Sequence, residues 1–173
     1  SLEVTANKNL KNLNGLGSLE GMPGSIDINA NDNMENLNGL GKVTHVGADS
    51  RGHCLDVVDN KKMGDMTGLD GLQSCSGSVS VVGNSGMKDM KGLGSLTAVG
   101  ANTENSALAG ENNGNMKSLD GLNLKAIDIA DEADEAKCIV HDTSSKMLAL
   151  LLAELDRTGG FPVPIGLFYC EER

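Results

Sequence analysis

The chain has 173 residues, a formal net charge of −10 and only 2% aromatic residues. That acidity argues against nucleic acid, which needs a basic footprint, and against an anionic membrane surface; it favours a neutral or basic protein partner. The scarcity of aromatics removes an aromatic-lined pocket or a base-stacking platform. No apolar run approaches the roughly 18 residues of a membrane span, so no transmembrane span is expected.

Taken in chain order, the first signal is a short apolar alternation, Leu2 and Val4, that returns as Ile26 and Ile28, Leu55 and Val57, Val79 and Val81, and a degenerate Leu108 and Gly110. Such alternation is the mark of a strand. Each pair leads into an asparagine at a fixed phase, Asn7, Asn31, Asn60, Asn84 and Asn113, spaced 24, 29, 24 and 29 residues apart. Three residues on comes Leu10, Met34, Met63, Met87 or Met116, and six on comes Leu13, Leu37, Met66, Met90 or Leu119. A Gly-Leu pair then follows every time, and the last apolar columns hold Leu19, Val43, Leu72, Leu96 and Met22, Val46, Cys75, Val99. The glycine column is read as a tight turn rather than a phosphate cradle, because it recurs in every coil.

One such coil cannot bury its own apolar side chains, so stacked neighbours must build a continuous core. The expectation is a mainly β solenoid of about five coils over residues 1–130. The alternation in length has a location. Short coils pass to the next strand through Pro-Gly-Ser (23–25) or Ser-Gly-Ser (76–78), whereas long ones insert GADSRGHC (47–54) and GANTENSA (100–107). These two loops lie on one edge, two coils and so about 10 Å apart if coils stack at the spacing of strands, roughly 4.8 Å. Loops added to alternate coils serve no core purpose, which makes Asp49, Arg51, His53, Asn102 and Glu104 candidates for partner contact.

The repeat, reading much like LxIxxNxxLxxLxGLxxLxxI over residues 2–129, resembles the leucine-rich-repeat class of the receptor L-domain type. The resemblance implies a solenoid without long helices, each coil giving one strand to a parallel sheet. It also implies that Asn7, Asn31, Asn60, Asn84 and Asn113 point inward as a ladder that satisfies backbone groups at the turn. Frequent Met in place of Leu departs from the family pattern while keeping side-chain volume. Such coils serve ligand binding, adhesion and scaffolding alike, so the motif specifies architecture rather than chemistry.

Other chemistry finds little support. Asp49, Ser50 and His53 include the residue types of a hydrolase, but one loop cannot hold them in line unaided; no catalytic, cofactor or metal residue is assigned, and the chain is expected to be non-enzymatic. His45 is expected outward beside Val46, and His141 precedes a helix cap; neither has a second ligand at metal spacing. An ice-binding face would want a regular Thr column, yet the outward strand positions read Glu3, Asp27, Asp56, Ser80, Ala109 and Thr5, Asn29, Val58, Val82, Glu111. The four cysteines follow no zinc or redox spacing. Cys75 fills a core column and reads as a small buried hydrophobe, Cys54 closes the first long loop, and Cys138 and Cys170 could be brought together in a disulfide.

Residues 131–173 form a second region. It opens with an acidic, solvated turn over 131–137 and continues through one more short strand at 138–142. A helix capped by Asp142 or Thr143 then runs to about Asp156, with Leu148, Leu151, Leu152 and Leu155 on one stripe to seal the solenoid end. An extended tail follows, in which Phe161, Val163, Ile165 and Phe168 are candidates for docking on a partner. Residues 139–173, ending FPVPIGLFYCEER, are similar to the C-terminal end of the β subunit of 2-oxoacid:ferredoxin oxidoreductases. The cofactor-binding parts of that family are absent, so the resemblance implies a packing and docking element and no cofactor.

These readings converge on a structural, scaffold or protein-binding subunit, including an extrinsic subunit of a large organellar membrane complex. The alternatives are a receptor-like or cell-surface ligand-binding repeat protein and an accessory chain of a 2-oxoacid oxidoreductase. No asparagine begins an N-x-[ST] acceptor, which favours an organellar or cytosolic home over a secreted one.

Overall fold

The computed structural model describes residues 1–103, 106–122, 128–129, 138–141 and 169–170. In chain order its strands are β1 (Leu2–Thr5), β2 (Ile26–Asn29), β3 (His45–Val46), β4 (His53–Val58), β5 (Ser74–Cys75), β6 (Ser78–Val82), β7 (Ala98–Val99), β8 (Ser106–Glu111), β9 (Asp128–Ile129), β10 (Cys138–His141) and β11 (Tyr169–Cys170). Helix among the described residues is confined to one 3-10 turn at Asn14–Leu16. The result is a parallel β-solenoid of about four turns.

A front sheet of seven strands runs β1-β2-β4-β6-β8-β10-β11, and a back sheet of four runs β3-β5-β7-β9. Every pairing is parallel, and equivalent columns stack in register: Ile26 faces Leu2 on one side and Leu55 on the other, while Val79 faces Leu55 and Leu108. Because side chains alternate across a strand, this register puts every inward column against its own repeat and builds one continuous core. Met34, Met63, Leu37, Met66, Leu40, Leu69, Val43 and Leu72 have no solvent exposure within it. The back sheet is an addition to the sequence reading, which expected one strand per coil; its strands are two residues long and too short to show alternation.

Three further columns make the coil close. The residue before each ladder asparagine takes a left-handed conformation, at Ala6, Ala30, Asp59, Gly83 and Asn112 (φ 54 to 69°), which turns the chain off the strand. Next, Asn12, Asn36, Asp65, Asp89 and Ser118 each accept from the N–H two residues on, through the side-chain oxygen, a local turn natural to short polar side chains. Then come Gly39, Gly68, Gly92 and Gly121 at φ 95 to 115°. A Cβ at Gly39 would run into the backbone of Leu13, and one at Gly92 into that of Met66, so this column meets both demands that glycine alone satisfies, positive φ and close approach of the coil beside it.

Several expectations are corrected. Cys75 is not a free hydrophobe: it is joined to Cys54 in a disulfide with Cα atoms 5.6 Å apart. The two cysteines begin and end the same coil, so the bond closes that coil where the chain steps to the next. On the backbone, Cys170 lies opposite His141 and Cys138 opposite Ser106; the side chains of both cysteines, and so the disulfide expected between them, lie outside the described residues. The strand expected at 138–142 is present as β10, and Tyr169–Cys170 adds a seventh strand beside it within the same chain. The acidic turn, the capping helix with Leu148, Leu151, Leu152 and Leu155, and the docking residues Phe161, Val163, Ile165 and Phe168 lie outside the described residues, as does Glu104.

Candidate functional site

Each coil has two corners, one where the chain leaves the front strand and one where it returns to it. At the leaving corner stand the ladder asparagines. Asn31, Asn60 and Asn84 have no solvent exposure and Asn113 is buried, whereas Asn7 is exposed. Asn60 shows the full pattern. Its Oδ1 accepts from the Asn31 N–H (3.0 Å) and the Asn31 Nδ2 (3.2 Å), while its Nδ2 donates to the carbonyls of Ile28 (2.8 Å) and Val58 (3.0 Å). Its own N–H donates to Asn84 Oδ1 at 2.9 Å. Asn84 and Asn113 repeat the arrangement. Among the described residues, the ladder amides of this corner are spent on backbone groups and on one another.

The returning corner holds the two long loops, and here the expected gap of about 10 Å is overturned: the loops touch. Thr103 N–H donates to the Arg51 carbonyl at 3.0 Å, and a Cβ at Gly52 would stand 2.7 Å from Asn102 Cα. The reason is the short link between them. Ser76, Gly77 and Ser78 cut the corner so closely that a Cβ at Gly77 would strike the Gly52 carbonyl, which itself accepts from Ser78 N–H at 2.8 Å.

The loops are built alike. Asp49 N–H donates to the His53 carbonyl (2.8 Å), and Asn102 N–H to the Ser106 carbonyl (2.9 Å). Asp49 Oδ1 accepts from the N–H groups of Arg51 (2.8 Å) and His53 (2.9 Å), and Asn102 Oδ1 from that of Ser106 (3.0 Å). One short polar side chain at the same phase thus shuts each loop. The disulfide sits at the base of the first loop, since Cys54 follows His53.

Across the joint runs a chain of side chains. His53 Nδ1 lies 2.8 Å from Asp56 Oδ2, and its Nε2 lies 3.4 Å from Asn102 Nδ2. Arg51 pairs with Asp49 at 3.0 Å and reaches Asp56 at 3.7 Å; its side chain is 63% exposed, against 24% for His53 and 14% for Asp56. Burial alone would raise the Asp49 carboxyl, but the N–H groups of His53 and Arg51 and the Arg51 guanidinium more than offset it and hold it below the usual carboxylate range. Of the predicted partner-binding residues, the structure brings together Asp49, Arg51, His53 and Asn102. The sequence reading missed Asp56, Thr103 and Cys75. Asp56 was visible only as an outward strand position.

Beside the joint, Glu3, Asp27 and Asp56 stand next to one another on β1, β2 and β4. Burial, the Asp56 carboxylate and the Glu3 carboxylate together push the Asp27 pKa up. No group of carboxylate, imidazole or thiol side chains among the described residues has the geometry of a metal site. On the back sheet, exposed His45 meets Ser74 Oγ at 2.8 Å. No helix among the described residues is long and apolar enough to cross a membrane. Comparison with protein-family models, curated proteins and solved structures returned no match.

Proposed function

We propose that this chain is a non-enzymatic, protein-binding β-solenoid of the leucine-rich-repeat receptor L-domain type, and that its contact surface is the composite edge made by the two long loops. The observation that carries the reading is the joint itself. Loops of unrelated length and drifted sequence would have no reason to share a backbone hydrogen bond, two matching side-chain closures and the Asp56–His53–Asn102 chain. A scaffold that fixes loops on a stacked core is a common way to present a binding edge. The chemistry suits a partner with basic or amide groups: three carboxylates, Asp49, Asp56 and Asp27, lie around a single guanidinium. His53 spends both ring nitrogens on Asp56 and Asn102 and therefore serves as a clamp rather than a general base.

A second reading, receptor-like capture of an external ligand, gains from one specific observation. The Cys54–Cys75 disulfide belongs with oxidising compartments, where such bonds persist. That weighs against the cytosolic home favoured by the lack of glycosylation acceptors.

Shortening both loops to Ser-Gly-Ser tests the proposal. The shortened chain is expected to keep its β-sheet circular dichroism and cooperative melting while losing the partner that the unaltered chain retains from its native source. Equal retention by both chains would sink it.

A further inference from the structure

We propose that His53 is a proton-operated latch between the two long loops, closed when its imidazole is neutral and released when it is protonated. The inference rests on the binding-edge reading above and names the regulation of that edge.

The donors and acceptors fix the sense. A carboxylate only accepts, so the 2.8 Å contact with Asp56 Oδ2 places a hydrogen on His53 Nδ1. Asn102 Oδ1 is committed to the Ser106 N–H at 3.0 Å, which leaves the amide nitrogen of Asn102 facing His53 Nε2. That contact is a hydrogen bond only while Nε2 carries a lone pair. Protonation turns Nε2 into a donor and sets two donors against each other. Flipping the Asn102 amide does not rescue the arrangement, because Nδ2 would then confront the Ser106 N–H. One of the two bonds is lost either way, and the loop holding Thr103 against the Arg51 carbonyl loses its neighbour.

Among the described residues, the charged groups around the ring come from three elements. Asp49 and Arg51 belong to its own loop, Asp56 to β4, and Asp27 to β2; β6 brings neutral Ser78 opposite His53. Asp56 accepts from Nδ1–H in both protonation states, so acid leaves that side in place and acts at the joint. Imidazole is the side-chain type that changes charge between about pH 5 and 8.

The test uses the full chain and nuclear magnetic resonance. At about pH 8 the ring nitrogens of His53 are expected to show the Nδ1–H tautomer; a proton on Nε2 would overturn the proposal. Protection of the Thr103 amide is then followed relative to that of Thr97, which donates to the Gln73 carbonyl at 2.9 Å away from the joint. On acidification to about pH 5 the relative protection of Thr103 is expected to fall about twofold to fivefold, as the loss of one long hydrogen bond implies. Asn102→Asp reverses the sense, since its carboxylate accepts from both the Ser106 N–H and the imidazolium, and protection holds or rises in acid. His53→Asn cannot titrate and gives a flat curve. Thr103 curves of one shape in the unaltered chain and in both variants would overturn the latch. Because this readout needs no partner, its failure leaves the binding-edge reading standing, just as unchanged partner capture by the loop-shortened chain would leave the latch standing.

Discussion

The two corners of the coil solve the same problem, turning a strand, by different means. At the leaving corner every coil uses the same residues, so each asparagine bonds to the next coil and the solution repeats indefinitely. At the returning corner coils alternate between a three-residue link and a long loop, so contact skips a coil and joins 49–53 to 102–106. The first corner is periodic, and its buried amides bond to backbone. The second breaks the period, gathers charge and places an imidazole between a carboxylate and an amide. Departure from the repeat is therefore where a function can be housed without unstacking the core.

The largest expected effect removes the covalent bond at the base of the second corner. Replacing both Cys54 and Cys75 by Ala opens a ring of sequence separation 21, and the chain-entropy account gives a loss of about 3 kcal/mol. Denaturant unfolding checks it, with the unaltered chain under reducing conditions as a parallel case. An unchanged midpoint in the variant and no response of the unaltered chain to reductant would show that the corner does not depend on the bond.

Next comes the leaving corner. Asn60→Ala strands buried groups on two coils: the Asn31 N–H loses its acceptor, and the Ile28 and Val58 carbonyls lose a donor. These orphans together are expected to cost about 1–3 kcal/mol, so the midpoint should drop clearly. Asn7→Ala supplies the comparison within the same column. Asn7 is exposed and its Nδ2 reaches only the Thr5 carbonyl, so water replaces what is lost. Equal destabilisation by the two substitutions would mean that the ladder draws nothing from stacking.

This contrast also explains what could be read from the chain. A column that recurs five times exposes itself, because each coil meets the same stereochemical demand; the Asn, Gly-Leu and alternating apolar columns were legible for that reason. The left-handed column at Ala6, Ala30, Asp59, Gly83 and Asn112 was present as well but carries five residues of four kinds, united by backbone conformation rather than by chemistry. The turn column at Asn12, Asn36, Asp65, Asp89 and Ser118 hides in the same way. The joint could not be read at all from spacing, since its closeness depends on how tightly the link at Ser76–Gly77–Ser78 turns. For Cys75, a place in an apolar column pointed to the hydrophobe, and the pairing follows only once the coil brings its two ends together.

The smallest effects set two carboxylates against each other, one on each side of the comparison. Asp27 belongs to the regular sheet, where burial and the carboxylates of Asp56 and Glu3 raise its pKa above the ordinary 3.8. A raised folded pKa means that the stability this group contributes is fully present below its unfolded value and is lost as pH rises through the folded one. At neutral pH the ionised group is a liability, so Asp27→Asn should stabilise the chain there, by less than about 1 kcal/mol because the site is only partly buried. The difference should close as the pH falls below that ordinary value and the unaltered side chain becomes neutral too. Asp49, in the loop, carries a lowered pKa, so its contribution is present above the unfolded value and lost as pH falls through the folded one. Asp49→Asn should therefore weaken the chain slightly at neutral pH and less so in acid. Its sister Asn102 already closes the second loop as an amide, which limits the loss to the pairing with exposed Arg51. Melting temperatures of the two variants measured from about pH 3 to 7 decide the matter: shifts of the same sign would mean that the sheet row and the loop do not differ in electrostatic environment.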